Sequence, residues 1–363
     1  MLKVGLIGTG VALRTHLPGF QRTGQAEVVA LVGSSQKRGA QFARQYRIPR
    51  VYADYQALCA QADIDLVVVA SPNRFHFEQV NYALQQGKHV LAEKPLALES
   101  EDIQELIAMA ANTQQLALID HQLRFNPYMQ AIQAHIQAGN LGRLYFIRFH
   151  FQGGPADPAG PYTWHFDDTM GGGVRLAMAS HLLDLLWFWL GAPKVYSVHG
   201  RMDALHTPRK DADGHPHPVH TAGFFSAHLS LEDNLEVQMS DTMAYGEAQF
   251  TIAVYGTQGE LYFTAPDDLL GAFMKSEGMQ PIPIDPGAMA NARPDGSIFR
   301  QSFDLLARRL VAAILSGEHS LVGEAAHFAD AAPTQQVMDA MRASTLGGGA
   351  VELHEGYQPG ARS

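Results

Sequence analysis

Apolar and polar positions in the first 120 residues alternate between two spacings. Short apolar runs such as Lys3–Ile7 and Asp65–Ala70 predict strands that are covered on both faces. Between them, segments such as Gln36–Tyr46 and Phe75–Gln86 have helical spacing, and Asp54 is a predicted helix N-cap. Strands that alternate with helices of this length predict an α/β chain with a parallel sheet, the doubly wound Rossmann dinucleotide-binding fold.

The second half of the chain has a different pattern, in which strands follow one another directly. Asp233-Asn234 separates two of these runs as a tight turn, so neighbouring strands are expected to be antiparallel. Helices at 299–315 and 325–342 are expected to cover one face of this sheet. The predicted strands are 144–151, 195–200, 223–231, 235–242, 250–255 and 260–264. We therefore expect a Rossmann NAD(P)-binding domain over 1–122 and a second domain over 123–363.

Composition and charge exclude several classes of protein. The chain has 363 residues, 46% of them hydrophobic, and a net charge of -10 without a basic cluster, which is unlike a nucleic-acid-binding protein. No apolar run approaches the ~20 residues of a membrane span. Cys59 is the only cysteine, and Met1-Leu2-Lys3 leads directly into an apolar strand without a signal-peptide core. We expect a cytoplasmic protein with no nucleic-acid or membrane partner.

A glycine-rich loop follows the first predicted strand. Gly8-Thr9-Gly10 would place backbone amides and a helix N-terminus against a pyrophosphate, with Ala12 and Leu13 in the first helical turn. Leu13 occupies the third fingerprint position, where glycine or alanine normally lets helix and strand pack tightly. Glycine turns between strand and helix are common, so only the βαβ context turns this loop into a predicted cofactor site.

The end of the second strand bears on which cofactor binds. An acidic residue there would hold the ribose 2′-hydroxyl of NAD, whereas this chain has Ser34, Ser35, Lys37 and Arg38. Two hydroxyls and two cations suit a 2′-phosphate, so the segment favours NADP(H) over NAD(H). The alternative is that Lys37 and Arg38 are only the solvated first turn of a helix, a position that is unfavourable for cations.

The stretch Gly87–Leu96 predicts a short buried strand that runs into a charged pair and then a proline. Because proline restricts the residue before it, Lys94 is expected to be fixed at the carboxyl end of the strand, where open α/β sheets bind ligands. The alternative is a solvated Glu93-Lys94 pair in an ordinary turn.

A predicted helix from Val174 to Gly191 carries a second candidate. Positions 177, 181 and 184 share one face of this helix, which makes His181 and Asp184 neighbours. A lone histidine on an apolar helix is more often a satisfied core residue than a catalyst, and both interpretations stay open from the residues alone.

Several motifs together resemble the Gfo/Idh/MocA oxidoreductase family. They are Ala70–His76, Gly87–Leu96, Gln122–Pro127, Gly139–Gly142, Gly171–Gly173 leading to His181–Asp184, and Tyr255–Leu261. The resemblance implies a C-terminal α+β domain with a large, mostly antiparallel sheet and a homodimer or homotetramer formed through its outer face. It also implies hydride transfer between NAD(P)(H) and a hydroxyl or keto carbon of a sugar, inositol or related polyol.

The same resemblance assigns roles to individual residues. It implies that Lys94 lies near the nicotinamide and the reacting oxygen and that His181 moves the proton. The cofactor would further contact residues of the matching motifs, namely Ser71, Asn73, His76, Glu93, Lys94 and Gln122. Substrate contacts are expected from Arg124, Trp164, His165, Arg175 and Asp184.

One position departs from the family pattern. Relatives commonly carry an aspartate one turn before the histidine, and this chain has Ala177. Asp184, Asp120 or Asp168 would have to orient the imidazole instead, or the histidine acts unaided. Two alternatives therefore remain, a cofactor-binding sensor that has lost catalysis and a glycosidase that uses NAD as a transient redox partner.

A histidine-rich run lies between two predicted strands. His206, His215, His217 and His220 are spaced unlike a helix-borne ligand pair, and an irregular surface loop explains them better. No metal is assigned.

Overall fold

The structure is a computed structural model of the chain. It describes residues 1–153, 160–173, 175–191, 193–204, 208–211, 213–242, 248–266, 269–274, 278–285, 288 and 297–353. Within these ranges the chain forms two compact units, one built from 1–126 and 289–332 and the other from 127–288 and 333–363.

The first unit contains a seven-stranded sheet in the order β17-β6-β5-β4-β1-β2-β3. Its strands are β1 Leu2–Ile7, β2 Ala26–Val32, β3 Arg50–Tyr52, β4 Leu66–Val69, β5 His89–Ala92, β6 Ala117–Ile119 and β17 Ala326–His327. The first six are parallel, and β17 pairs with β6 in the antiparallel direction. The strand order 3-2-1-4-5-6 is that of a Rossmann domain, which confirms the predicted fold.

Helices cover both faces of this sheet, and the side chains of β4 are therefore buried on both sides. They are α1 Leu17–Arg22, α2 Gln36–Tyr46, α3 Tyr55–Cys59, α4 His76–Gln85, α5 Ser100–Ala111 and α8 Ile298–Ser316. Asp54 caps α3 as predicted, since its carboxylate accepts a hydrogen bond from the Ala57 amide at 2.8 Å.

The helix predicted over 299–315 was assigned to the wrong sheet. Helix α8 belongs to the first unit, where Phe303, Leu306 and Leu310 share a core with Leu6 and Phe20. An amphipathic pattern predicts that a helix buries one face, but it carries no information about which sheet receives that face. A later segment, 289–332, returns to the first unit, which the linear division of the chain did not include.

The second unit contains a nine-stranded sheet in the order β16-β15-β14-β13-β7-β12-β11-β8-β18. Its strands are β7 Leu144–Gln152, β8 Val195–Ala204, β11 Ala222–Leu231, β12 Leu235–Thr242, β13 Gln249–Gly256, β14 Gly259–Ala265, β15 Leu269–Met274, β16 Gly278–Pro281 and β18 Val351–Glu352. A separate hairpin consists of β9 Arg209–Lys210 and β10 Pro216–His217. Among the strand pairs that the described residues form in the large sheet, only β7–β12 is parallel. The predicted large, mostly antiparallel sheet is therefore confirmed.

In the described part of the chain, the helices that belong wholly or mainly to this unit include α6 Pro127–Gln137, α7 Ser180–Leu190 and α9 Ala331–Gly347. Asp233 and Asn234 form the predicted tight turn between β11 and β12. Their φ angles are positive, +57° for Asp233 and +56° for Asn234. The helix predicted over 325–342 begins later, because Ala326–His327 pairs with β6 and Asp330 accepts a hydrogen bond from the His327 amide. Among the described residues, no helix has both the length and the apolar character needed to cross a membrane.

Candidate active site

The glycine loop after β1 contains two glycines with different reasons for being glycine. Gly8 has φ +115°, and a Cβ there would lie 2.1 Å from the Ala70 carbonyl oxygen, so no larger residue fits. A Cβ at Gly10 would meet no atom within 4 Å. Gly8 therefore serves the close packing of β1 against the end of β4, while Gly10 leaves room for the approach of a ligand to the backbone.

The helix that follows the loop begins with a π-helical turn over Ala12–His16 before it becomes α1. Ala12 and Leu13 are both buried in the core of the unit. Leu13, at the position where the fingerprint normally has glycine or alanine, lies within this π-helical turn. Such turns are found frequently at functional sites.

The segment after β2 presents hydroxyls and cations to solvent. Ser35 is the N-cap of α2, and its Oγ accepts a hydrogen bond from the Arg38 amide at 3.2 Å. Ser34, Lys37 and Arg38 are exposed, and the Arg38 guanidinium lies 5.8 Å from the centre of the Phe42 ring. The first turn of α2 contains no acidic residue, so nothing in that turn neutralises the two cations.

The segment after β4 is held by hydrogen bonds to its own side chains. The Ser71 hydroxyl donates to Gln79 Oε1 at 2.7 Å, and Asn73 is buried in a short 3-10 turn. The two ring nitrogens of His76 lie 2.8 Å from the Pro95 carbonyl oxygen and 3.0 Å from that of Ser71. Burial lowers the pKa of His76. Its imidazole thus joins the end of β4 to the segment that follows β5.

Lys94 lies two residues beyond the end of β5 and is half-buried. Glu93, just before it, is buried and directs its carboxylate towards His16. Gln122 follows β6 in the same way, and its Oε1 is buried without a hydrogen-bond partner among the described residues. The predicted cofactor residues are therefore brought together at the carboxyl edges of the parallel strands.

A buried charged cluster at this edge was not predicted. His16 Nε2 lies 2.9 Å from Asp120 Oδ2 and 3.2 Å from Glu93 Oε1. His16 and Asp120 are completely inaccessible to solvent. The sequence carries no signal for it, because a histidine in an apolar helix and two acids at strand ends are each ordinary.

The cluster perturbs the pKa of each member. Burial opposes the imidazolium of His16, but hydrogen bonds to Asp120 and Glu93 prevail and raise its pKa to about 9. Burial and repulsion from Glu93 raise the pKa of Asp120 to about 6, against the effect of His16. Burial opposes the carboxylate of Glu93, but the hydrogen bond to His16 and the positive charges of His16 and Lys94 together lower its pKa. One imidazolium is thus shared by two carboxylates that repel each other.

Arg124 was predicted to hold substrate, and the structure places it in contacts within the first unit. Its Nη1 donates to the Glu324 carbonyl oxygen at 3.3 Å and lies 3.6 Å from Asp330 Oδ2. The side chain is buried. These contacts tie the turn after β6 to the segment around β17.

His181 is buried as the second residue of α7 in the second unit. The predicted helix from Val174 begins with a π-helical turn over Arg175–Ala179, so Ala177 and His181 do not have the regular α-helical spacing. Asp184 is fully buried on the same helix, and Gly191 ends it with φ +74°. Val174 and the side chain of Arg175 lie outside the described part of the chain.

Trp164 and His165 precede the glycine-rich segment and stack with ring centres 4.0 Å apart. A Cβ at Gly172 would lie 2.5 Å from the His165 carbonyl oxygen, so the glycine lets the two segments pass closely. Both rings are partly exposed, and Asp168 is exposed.

The histidine-rich loop contains a small ion-pair network. Asp211 Oδ2 lies 2.9 Å from His217 Nε2 and 3.6 Å from His215 Nδ1. His217 also stacks on Tyr162 with ring centres 4.5 Å apart. His206 lies outside the described residues. Potential metal-ligand atoms of Asp211, Asp213 and His215 lie within 4.8 Å of one another, and the same is true of His16, Glu93 and Asp120.

The first unit fits a dinucleotide. Gly10 is open to the approach of a ligand, the π turn follows the loop at once, and Gln122 Oε1 has no partner among the described residues. Gly8 to Leu13 would hold the pyrophosphate, since backbone amides at a helix start bind anions. The serines and cations after β2 would lie along the ribose.

Comparisons with known proteins agree with this geometry. A sequence profile described as "Oxidoreductase family, NAD-binding Rossmann fold" matches residues 2–121, and one described as "GFO/IDH/MocA C-terminal domain" matches residues 129–262. The chain is similar to 1,5-anhydro-D-fructose reductase of Ensifer adhaerens, with 28% identity over 292 residues that cover 79% of this chain and 84% of the relative. It is also similar to D-glucoside 3-dehydrogenase of Escherichia coli K12, with 32% identity over 54% of this chain and 56% of the relative.

A solved structure extends the likeness in fold to nearly the whole chain. Levoglucosan dehydrogenase in complex with NADH and L-sorbose has a TM-score of 0.84, 20% identity and coverage of 97% of this chain and 98% of its own.

Proposed function

The chain belongs to the Gfo/Idh/MocA oxidoreductase family, and from this premise we propose that it transfers a hydride between NADP(H) and a hydroxyl or keto carbon of a sugar, inositol or related polyol. The family is one of NAD(P)-dependent dehydrogenases and reductases that act on CH-OH groups. The relatives named above include enzymes of a glucoside and an anhydro-sugar, which supports a sugar-like substrate. The observation that carries the proposal is the fixed position of Lys94 at the carboxyl edge of the dinucleotide-binding sheet.

Lys94 is proposed to stabilise negative charge on the reacting oxygen. Lys94 follows a strand that is paired on both sides, and its neighbours Glu93 and Pro95 are held by His16 and His76, so the backbone that carries the ammonium group is fixed before substrate binds. When bound, the nicotinamide supplies or accepts the hydride. As the alcohol is oxidised, Lys94 would stabilise the developing alkoxide and then polarise the carbonyl.

His181 is proposed to exchange the hydroxyl proton. In the oxidative direction it accepts that proton as the hydride leaves the carbon, and in the reductive direction it returns the proton to the alkoxide. Its burial on α7 keeps bulk water away from the imidazole. Asp184, on the same helix and also buried, is the carboxylate proposed to take over the orienting function that Ala177 cannot supply.

The cofactor is proposed to be NADP(H) rather than NAD(H). Ser34, Ser35, Lys37 and Arg38 are exposed after β2, and no acid stands in the first turn of α2 to bind a ribose 2′-hydroxyl. Cations at a helix start are unfavourable unless an anion compensates them, and a 2′-phosphate would do so. Levoglucosan dehydrogenase was solved with NADH, so the preference of this chain rests on its own residues.

A substrate screen tests this proposal. The purified protein is offered sugars, anhydro-sugars and inositols with NADP⁺ or NAD⁺, and keto sugars with NADPH or NADH, while nicotinamide absorbance is followed. We expect turnover of at least one of them and a higher kcat/KM with the phosphorylated cofactor. Equal or better turnover with NAD(H) would contradict the cofactor assignment.

The same screen separates the two alternatives. A protein that binds NADPH tightly and turns over no member of the panel would be a sensor, as the alanine at position 177 first suggested. Release of free sugar from a glycoside without net reduction of the cofactor would identify a glycosidase.

A further inference from the structure

The buried cluster of His16, Glu93 and Asp120, which includes the residue before Lys94, joins three elements of the first unit. His16 comes from the π turn after the glycine loop, Glu93 from the end of β5 and Asp120 from the end of β6. The ring nitrogen Nε2 contacts one oxygen of each carboxylate, at 3.2 Å and 2.9 Å. The imidazole also packs against the Phe303 ring, with ring centres 4.5 Å apart. No solvent reaches His16 or Asp120.

Such a cluster is an expensive way to stabilise a fold. When two carboxylates and an imidazolium are removed from water, each loses hydration free energy on the order of several kcal/mol. Well-packed apolar residues in the same place would not incur this loss. Moreover, Asp120 Oδ1 and His16 Nδ1 are buried without a hydrogen-bond partner among the described residues. Buried groups of this kind in natural proteins call for a reason other than stability.

The position of the cluster supplies that reason. Glu93 precedes Lys94 and is held by His16, while the Pro95 carbonyl oxygen follows Lys94 and lies 2.8 Å from His76 Nδ1. Both neighbours of the lysine are thus fixed by buried imidazoles that come from different helical segments. The charged and titratable groups that act on or around Lys94 are Glu93, Asp120, His16, His76 and His121.

We propose that His16 is a positioning residue for Lys94: its imidazolium, shared between Glu93 and Asp120, fixes the segment that carries the lysine and balances the charge around it. This inference rests on the proposed function only in taking Lys94 as the reacting cation. With His16 and Lys94 protonated and both acids ionised, the four groups sum to zero charge. Removal of the His16 cation therefore makes the electrostatic potential at Lys94 more negative. Removal of one of the two acids makes it more positive.

A divalent metal ion bound by the same three side chains is the competing explanation. It would have to replace the proton on His16 Nε2. The distances of 2.9 Å and 3.2 Å from that nitrogen to the two oxygens are those of hydrogen bonds to a shared proton. Two ligands of one metal ion would also lie about 3 Å apart, so the metal is an outcome of the test.

The test measures the protonation of Lys94 directly, without turnover. The full-length protein is labelled with trace acetic anhydride across a pH series, and acetylation of the Lys94 peptide is quantified by mass spectrometry in wild type, His16→Gln and Asp120→Asn. His16→Gln leaves two acids without their cation, so we expect the labelling midpoint to move to higher pH. Asp120→Asn removes one acid, so we expect a move to lower pH. We expect shifts of about one pH unit, the usual effect of a single neighbouring charge on a pKa.

His89→Gln is the matched control, because His89 lies at the opposite end of β5, where its Nδ1 accepts a hydrogen bond from the Leu116 amide. Its labelling midpoint should equal that of wild type. Midpoints that stay in place in both cluster variants, with only the melting temperature lowered, would show a structural role and overturn the proposal. Loss of activity or stability on treatment with EDTA, restored by Zn²⁺, would overturn it in favour of a metal site.

The kcat profile against pH is recorded in parallel with any substrate found in the screen. Its basic limb should shift in the same two directions as the labelling midpoint. Absence of turnover in wild type contradicts the proposed function, whereas unmoved labelling midpoints contradict the role of His16, so the two failures are distinguishable.

Discussion

At the scale of single residues, buried charge governs the candidate active site. The proton on His16 is retained because Asp120 and Glu93 face it at 2.9 Å and 3.2 Å, in spite of complete burial. A histidine held in this way links the stability of the protein to pH with a definite sign.

We predict that stability falls as pH rises from 6.5 to 9. The pKa of His16 is about 9 when folded and 6.5 ordinarily. The stabilisation is therefore complete below pH 6.5 and is lost as pH rises through the folded value, a change on the order of 3 kcal/mol. Guanidinium unfolding at the two ends of this range measures it. Asp120→Asn should flatten the dependence, and an unchanged slope in that variant would contradict the assignment.

The exposed cations after β2 give a second prediction at this scale. Arg38→Ala should weaken NADPH binding about tenfold or more and leave NADH binding nearly unchanged, because a charge-assisted hydrogen bond contributes roughly 1.5–3 kcal/mol. Fluorescence titration of both cofactors measures the ratio. Arg44→Ala, an exposed arginine on the same helix, is the matched control. A parallel loss of both cofactors in Arg38→Ala would show that no 2′-phosphate is recognised there.

At the scale of elements, sequence patterns predicted the structure wherever its cause is an interaction between residues close together in the sequence. The sequence predicted the cap at Asp54, the Asp233-Asn234 turn and the alternating strands of the Rossmann unit. Each of these features depends on residues that lie within a few positions of one another. Strands β15 and β16 and the position of α8 were not predicted. Their patterns indicate burial of one face, but the partner of that face is set by distant parts of the chain.

The glycine loop allows stability and ligand binding to be separated within one element. Gly8→Ala should destabilise the protein by about 1–3 kcal/mol or prevent folding, since φ is +115° and the new Cβ would meet the Ala70 carbonyl oxygen. Gly10→Ala has space for its Cβ and should keep the wild-type melting temperature while losing the stabilisation that NADPH provides.

Thermal unfolding of both variants with and without NADPH checks this pair. Equal melting temperatures for Gly8→Ala and wild type would contradict the packing argument. A full shift with NADPH in Gly10→Ala would remove that glycine from the cofactor site.

The limits of sequence interpretation are clearest in the candidate site. Lys94 and the glycine loop could be predicted, because a strand end followed by proline and a glycine pair have local meanings. The cluster of His16, Glu93 and Asp120 could not, since its members are far apart in sequence and each is ordinary alone. The contacts of Arg124 with Glu324 and Asp330 could not be predicted either, because those residues lie about 200 positions away in the sequence, and its contact with substrate stays a prediction.

At the scale of the whole molecule, one end of the large sheet has an apolar face that is exposed to solvent. Tyr262, Leu269, Phe273 and Met279 share that face through the pairing of β14, β15 and β16, and they are 39–63% exposed. A contiguous apolar surface of this kind is typical of an interaction site. We propose that it contributes to a homo-oligomer, as the family resemblance implies.

Phe273→Glu should shift the oligomer towards smaller species, because a carboxylate buried at an interface without a partner is strongly unfavourable. Size-exclusion chromatography with light scattering measures the mass of each variant. Gln41→Glu, at an exposed position of α2 in the first unit, is the control and should leave the mass unchanged. A wild-type protein that is already monomeric at assay concentration would contradict the proposed interface.

The central claim is that Lys94 is the reacting cation of a sugar or polyol oxidoreductase. Its most direct test compares single-turnover hydride transfer in wild type and Lys94→Ala, with the best substrate from the screen and NADPH affinity measured alongside. We predict that Lys94→Ala lowers the rate of hydride transfer by at least about a hundredfold, as the loss of a group that stabilises transition-state charge does, while NADPH still binds. Undiminished hydride transfer in Lys94→Ala would contradict the claim.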